Sequence, residues 1–194
     1  MRRAWTRLLA GISAACLALG AAAVAQSVSA KPTARRANET TLAGLRPGLD
    51  RARRAVILYK KPDGTADKYN ELTWTSTCFR QLLVVEKDVS EKIETVRATQ
   101  ASWMKGDCGP LGPSPWQTGR GLRLGDPAGK VVELYGEPDS RSPSSRDGQR
   151  LELLYYAFDW AGPDVPQVMQ VLCTVKQDGT PGKVVEITLA ASSL

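Results

Sequence analysis

The polar–apolar pattern of the chain is strongest between residues 151 and 191. Val185, Ile187 and Leu189 alternate with Glu186 and Thr188, the period of two expected of a strand with one buried face. Strands are predicted over 151–159, 168–177 and 183–191, with Gln177-Asp178-Gly179 as a hairpin turn. The first half shows the same order, with strands predicted over 71–78, 80–87 and 92–99 and a turn at Lys87-Asp88. Residues 93–104 satisfy helical propensity equally well, and their place in the repeated order assigns them to strand.

A helical period precedes each set of strands. Val131, Leu134 and Tyr135 form an apolar stripe, with Asp126 as the expected N-cap and Pro127 at the first helical position. Gly136 suits the left-handed C-terminal conformation and Pro138 stops the helix. In the first half Asp50 and Pro62 take the matching parts around an amphipathic stretch that ends at Tyr59. Gly44-Leu45-Arg46-Pro47-Gly48 leads into that stretch as Gly121-Leu122-Arg123-Leu124-Gly125 leads into the second. Gly48 and Gly125 are 77 positions apart and Pro62 and Pro138 are 76, so one single-residue gap aligns them. The pattern predicts an α+β fold of two tandem units, each a short helical segment packed on a small antiparallel β-sheet. The units run over 44–108 and 121–194, joined by a Gly/Pro-rich linker at 109–120 and preceded by a flexible lead-in at 31–43.

Residues 1–30 belong to neither unit. Arg2, Arg3 and Arg7 precede an apolar run from Leu8 to Ala25, followed by small residues suited to cleavage after Ala25 or Ala30. That order of charge, apolar core and small residues is the mark of a signal peptide, so the expected location is periplasmic or secreted. The apolar run is short and alanine-rich for a membrane span. Cys16 lacks the setting of a lipidation site. Three of the 26 basic residues and none of the 20 acidic ones lie in this segment, which leaves a net charge of +3 from Lys31 onward. So small an excess gives no reason to expect a nucleic-acid partner.

Cys78, Cys108 and Cys173 remain after processing. In an oxidising compartment pairing is expected, and Cys78–Cys108 would close a loop of about 30 residues worth roughly 3–4 kcal/mol. Cys173 lies in the apolar run 171–175 and is expected to be a buried small hydrophobe; bridges to Cys173 from Cys78 or Cys108 remain open.

The segment Gly125-Asp126-Pro127-Ala128-Gly129-Lys130-Val131, closed by Leu134-Tyr135-Gly136-Glu137-Pro138, resembles a motif shared by the β-lactamase inhibitor protein family and the small outer-membrane lipoproteins of the SmpA/OmlA type. The resemblance implies a short helical segment on a small antiparallel sheet, once in the lipoproteins and twice in the inhibitor. It also implies binding proteins rather than enzymes. The first half departs from the motif, with Lys60 where glycine is expected and one residue inserted after Gly48.

Candidate chemistry is sparse. The chain contains no histidine, which removes the commonest general base, the usual nucleophilic triads and most zinc sites. The cysteines are not in CxxC spacing and no phosphate-binding glycine loop is present. Ser102-Trp103-Met104-Lys105 matches the SxxK pattern of penicillin-recognising enzymes without its companion motifs. No catalytic residue, metal or cofactor is therefore assigned. The aromatic residues Trp74, Trp103, Trp116, Tyr155, Tyr156 and Trp160 are the candidate ligand-binding set, since large aromatic rings make efficient contact anchors. Adjacent residues in a strand face opposite sides, so one of Tyr155 and Tyr156 is expected in the core and the other on an open sheet face. The first helix is basic through Arg46, Arg51, Arg53, Arg54, Lys60 and Lys61, and a weak contact with an anionic envelope surface is expected of it. The expected function is a non-enzymatic extracytoplasmic module that captures an unidentified protein or peptide on an exposed sheet face. The alternatives are an inhibitor of a secreted or periplasmic enzyme, using loops at 136–149 or 159–167, and a small envelope hydrolase using carboxylates.

Overall fold

The computed structural model describes residues 37–66, 70–104, 115–162 and 166–191. The signal segment, Cys108 and most of the predicted linker lie outside the described residues. Residues Ala34–Leu194 form one compact unit, whose described core draws only on residues from Leu42 onward.

Two short helices form where the apolar stripes predict them, α1 at Ala52–Tyr59 and α2 at Ala128–Tyr135. Neither starts with a side-chain cap: the N-cap positions are Arg51 and Pro127. Asp50 and Asp126, expected as caps, instead accept the backbone N–H of Arg46 and Arg123, each at 2.8 Å, and so close the glycine-bearing loop before each helix. Both helices end alike, with Lys60 N–H donating to the Val56 carbonyl and Gly136 N–H to the Val132 carbonyl.

The strands are β1 (Gly64–Ala66), β2 (Glu71–Ser76), β3 (Gln81–Lys87), β4 (Ile93–Gln100), β5 (Ser140–Arg146), β6 (Gln149–Ala157), β7 (Val168–Val175) and β8 (Pro181–Ala190). They build one eight-stranded sheet in the order β1-β2-β3-β4-β8-β7-β6-β5, antiparallel throughout. This corrects the predicted fold class: there are not two tandem units, each with its own small sheet. The overturning contact is the pairing of β4 with β8 over Thr95–Thr99 and Glu186–Ala190. Two separate sheets would each leave an inner edge of unpaired backbone groups; joining them removes both edges and makes one core. The outer edges that remain are blunted, β1 by its three-residue length and β5 by Pro143 and a polar composition.

Register assigns the two faces of the sheet. Trp74, Leu83, Ala98, Ile187, Val171 and Leu154 lie in one cross-strand row, and Val85, Val96, Leu189, Met169 and Tyr156 in the next. Both rows are buried and form one cluster with Ala55 of α1 and Ala128, Val131 and Tyr135 of α2, so both helices pack on this face. The segments before the helices close the core. Leu42, Leu45 and Leu122 are fully buried, and Leu42 bridges to Thr118. Two expectations change here. Residues 38–43 are not a flexible lead-in, because Glu39, Leu42 and Ala43 are all buried. The described end of the predicted linker is also core, with Trp116 and Thr118 buried.

Candidate functional site

The face opposite the helices carries a different set of side chains. One row runs Thr73, Val84, Arg97, Thr188, Gln170 and Tyr155; the next runs Thr75, Leu82, Thr99, Glu186, Leu172 and Leu153. Leu82, Leu153, Tyr155 and Leu172 are only half-buried, since neither helix covers this face. Apolar groups left at a surface in this density are available to a partner.

Charges are interleaved with them. Arg97 reaches Glu86 at 3.7 Å and Glu71 at 4.0 Å. Arg146, on the edge strand β5, donates to Glu186 Oε2 at 2.6 Å and Thr99 Oγ1 at 3.0 Å, on β8 and β4. Three inter-strand steps would hold β5 about 14 Å from β8 in a flat sheet. The Arg146 contact therefore requires the β5–β6 hairpin to curl over this face. A polar cavity of about 320 Å³ lies at that end, lined by Arg146, Asp147, Gln149, Thr174, Lys183 and Ser102 among others.

The structure separates the aromatic residues that the sequence grouped. Trp74, Trp116 and Tyr156 are buried in the helix-side core and are closed to a partner. There Trp74 Nε1 donates to the Lys60 carbonyl at 3.2 Å and Tyr156 hydroxyl to the Gly136 carbonyl at 3.0 Å, so these rings hold the C-terminal ends of α1 and α2. Tyr155 is on the open face. Trp103, 72 % exposed, follows the C-terminal end of β4; Trp160, 46 % exposed, follows β6 at the end that pairs, through β7 and β8, with the start of β4. The two exposed tryptophans thus sit off opposite ends of the sheet and do not form one site.

Leu82, Leu153, Leu172, Arg97 and Arg146 were missed as site residues. A signal for the first three was present: 82–85, 153–158 and 171–173 are continuously apolar rather than alternating, which means both faces of those strands carry apolar side chains. No local pattern marks Arg146, because its partners come from strands three and four positions away in the sheet.

Shifted ionisable groups lie elsewhere. Burial first, and the neighbouring Glu39 carboxylate second, push the Tyr135 hydroxyl well above its ordinary range. Burial pushes the Cys173 thiol up to about 12, so this free cysteine is an inert part of the core. Cys78 is engaged in a disulfide; its expected partner, Cys108, lies outside the described residues, and Cys173 is not that partner. Asp88 is held below the usual carboxylate range by the Lys92 backbone N–H and the Ser90 hydroxyl. Asp178 is held below it by the hydroxyl and N–H of Thr180. Both are turn aspartates, and the shifts reflect hairpin geometry. Among the described residues, no group of three or more His, Cys, Asp or Glu side chains could hold a metal ion, and no helix is long and apolar enough to cross a membrane.

No family model matches the chain, and no curated protein matches it in sequence. Solved structures of partly similar shape include a cysteine-rich secretory protein from Staphylococcus aureus (13 % identity, TM-score 0.43, covering 81 % of this chain and 49 % of that one). A DUF4309 family protein from Bacillus subtilis gives 7 % identity and TM-score 0.43, covering 77 % and 83 %. An extracellular protein containing a SCP domain from Bacillus anthracis gives 8 % identity and TM-score 0.36, covering 72 % and 42 %. The chain spans about half the length of the staphylococcal protein. Likenesses this distant carry no argument about fold or function.

Proposed function

We propose that this chain is a non-enzymatic extracytoplasmic interaction module that captures a protein or peptide on the open face of its sheet. The observation that carries the reading is the helix-free, curled face on which half-buried Leu82, Leu153, Tyr155 and Leu172 are interleaved with the ion pairs of Arg97 and Arg146. Such a surface offers apolar contact area with charged groups to set register and orientation. The export signature of residues 1–30 and the resemblance to a binding-protein family support the same reading. The inhibitor alternative would use the Asp147-Gly148 hairpin tip that overhangs the face. The hydrolase alternative would have to begin from Glu71 and Glu86, which are cross-strand neighbours sharing Arg97.

The test is a pull-down from envelope and culture-supernatant extracts with the wild-type protein and with Tyr155→Ala/Leu172→Arg. A single partner lost in the variant, with the melting temperature retained, is the expected result. Equal capture by both proteins would overturn the assignment to this face. The activity of a captured enzyme, measured with and without the protein, separates the inhibitor from the simple binder.

A further inference from the structure

We infer that α1 seats this protein on the surface of an anionic lipid bilayer, using an exposed apolar centre ringed by cationic side chains. This surface lies on the helix side of the sheet and is independent of the open face. Ala52, Ala55 and Tyr59 turn towards the core, so Ile57 points outward with Arg53 and Arg54 beside it. Ile57 is 64 % exposed, and Leu58, Leu49 and Val56 are 44 %, 42 % and 39 % exposed. Four large aliphatic side chains on one eight-residue helix and its lead-in are more than scattered surface hydrophobics require.

The charge around them is one-sided. Residues 46–61 hold six basic side chains, Arg46, Arg51, Arg53, Arg54, Lys60 and Lys61, all exposed, against one acid. That acid, Asp50, is already engaged by the Arg46 N–H and by Arg54 at 3.2 Å. The equivalent stretch around α2, residues 122–137, holds two basic and three acidic residues, and Glu133 stands where α1 presents Ile57. The fold therefore tolerates an ordinary acidic exterior at this position, and the α1 pattern answers a different demand.

Lys60 adds a backbone argument. It ends α1 at φ 68° and ψ −157°, a region where only glycine is at ease, and Gly136 fills the same place in α2. The chain accepts a strained lysine where glycine would be free of strain, and the lysine extends the cationic ring. An apolar centre separates a bilayer from a soluble polyanion, which would have no use for Ile57. Long cationic chains place their charge among lipid phosphates while the aliphatic groups reach the acyl boundary.

The test is flotation of the unit Ala34–Leu194 with vesicles of phosphatidylcholine alone and of phosphatidylcholine with phosphatidylglycerol, between about 50 and about 500 mM salt. Binding is expected to the anionic vesicles only, and to weaken as salt rises. Ile57→Glu, which installs the α2 residue, should lower the partition coefficient at least about tenfold, the loss expected when a buried aliphatic side chain becomes a charge. Arg53→Glu should weaken it comparably, with melting temperatures unchanged in both variants. Equal binding to neutral vesicles, no binding to anionic ones, or unaltered binding by folded Ile57→Glu would each overturn the proposal. Salt-sensitive retention on an immobilised polyanion without vesicle binding would overturn it in favour of a soluble polymer.

Discussion

The two helices occupy matching places in the chain, each leading a run of four strands, yet they are held by different means. Tyr59 of α1 donates to the carbonyl of Ala43, only 16 positions away. Tyr135 of α2 donates at 2.6 Å to Glu39, 96 positions away, and meets Thr118 at 2.7 Å. Glu39 is 2 % exposed, and its carboxylate also accepts from the backbone of Thr40, Thr41 and Arg120. No side chain fits between these groups: a Cβ on Gly119 would stand 2.6 Å from Thr41 Oγ1 and 2.7 Å from Glu39 Oε1. Thus α2 is clamped by a buried polar cluster that ties the start of the described chain to its second half. Small alanines lie beneath α1, and its aliphatic side chains point outward. The difference shows that one local pattern can serve as a keystone in one place and as a presented surface in another.

The sharpest way to break this comparison is to remove the clamp. Glu39→Ala leaves four donors in a buried site without their acceptor and should cost on the order of 3 kcal/mol in urea unfolding, with no counterpart mutation of that size near α1. Paired tyrosine substitutions come next. Tyr135→Phe should cost about 2 kcal/mol, because it strips partners from buried Glu39 and Thr118, and Tyr59→Phe about 1 kcal/mol. Equal losses would mean that the two helices are anchored alike. The helix ends should respond with opposite sign. Lys60→Gly is expected to stabilise the fold by about 1 kcal/mol by releasing the strained backbone, whereas Gly136→Ala is expected to destabilise it by a similar amount. The gain from Lys60→Gly should be accompanied by weaker vesicle binding.

The smallest effect concerns pH. Asp88 and Asp178 have folded-state pKa values below their unfolded ones, so their contribution is present above the ordinary aspartate range and is lost as pH falls through the folded values. Asp88→Asn and Asp178→Asn should each make the melting temperature fall less steeply between about pH 5 and about pH 2. A curve as steep as wild type in both variants would show that the turns do not contribute to acid sensitivity.

Much of this was legible because it is local. Residues 93–100 are ambiguous between helix and strand by propensity, and the repeated order of elements placed them correctly in β4. The helices, their stop positions and six of the strands follow from period and turn chemistry. β5 was hidden by its composition: Ser140–Arg146 is mostly polar and contains a proline, so nothing marks it as a strand apart from the partner it pairs with. The candidate site was legible only in part. Tyr155 was picked out as an aromatic that strand geometry could leave on an open face, but Trp74 and Trp116 look no different in sequence from Trp103, and only packing decides which ring is buried.

The amino-acid sequence by itself determined the place of both helices and of six of the eight strands, the basic character of α1 and the absence of histidine chemistry. These depend on side-chain period, backbone preference and residue identity within a few positions. Only the tertiary structure decided that β4 and β8 merge two runs of strands into one sheet, that Glu39 fastens α2, that Arg146 folds a hairpin over the open face, and that Ile57 points outward. Each of these joins residues tens of positions apart. The free energy gained by removing sheet edges and satisfying buried polar groups exists only once the whole chain has packed.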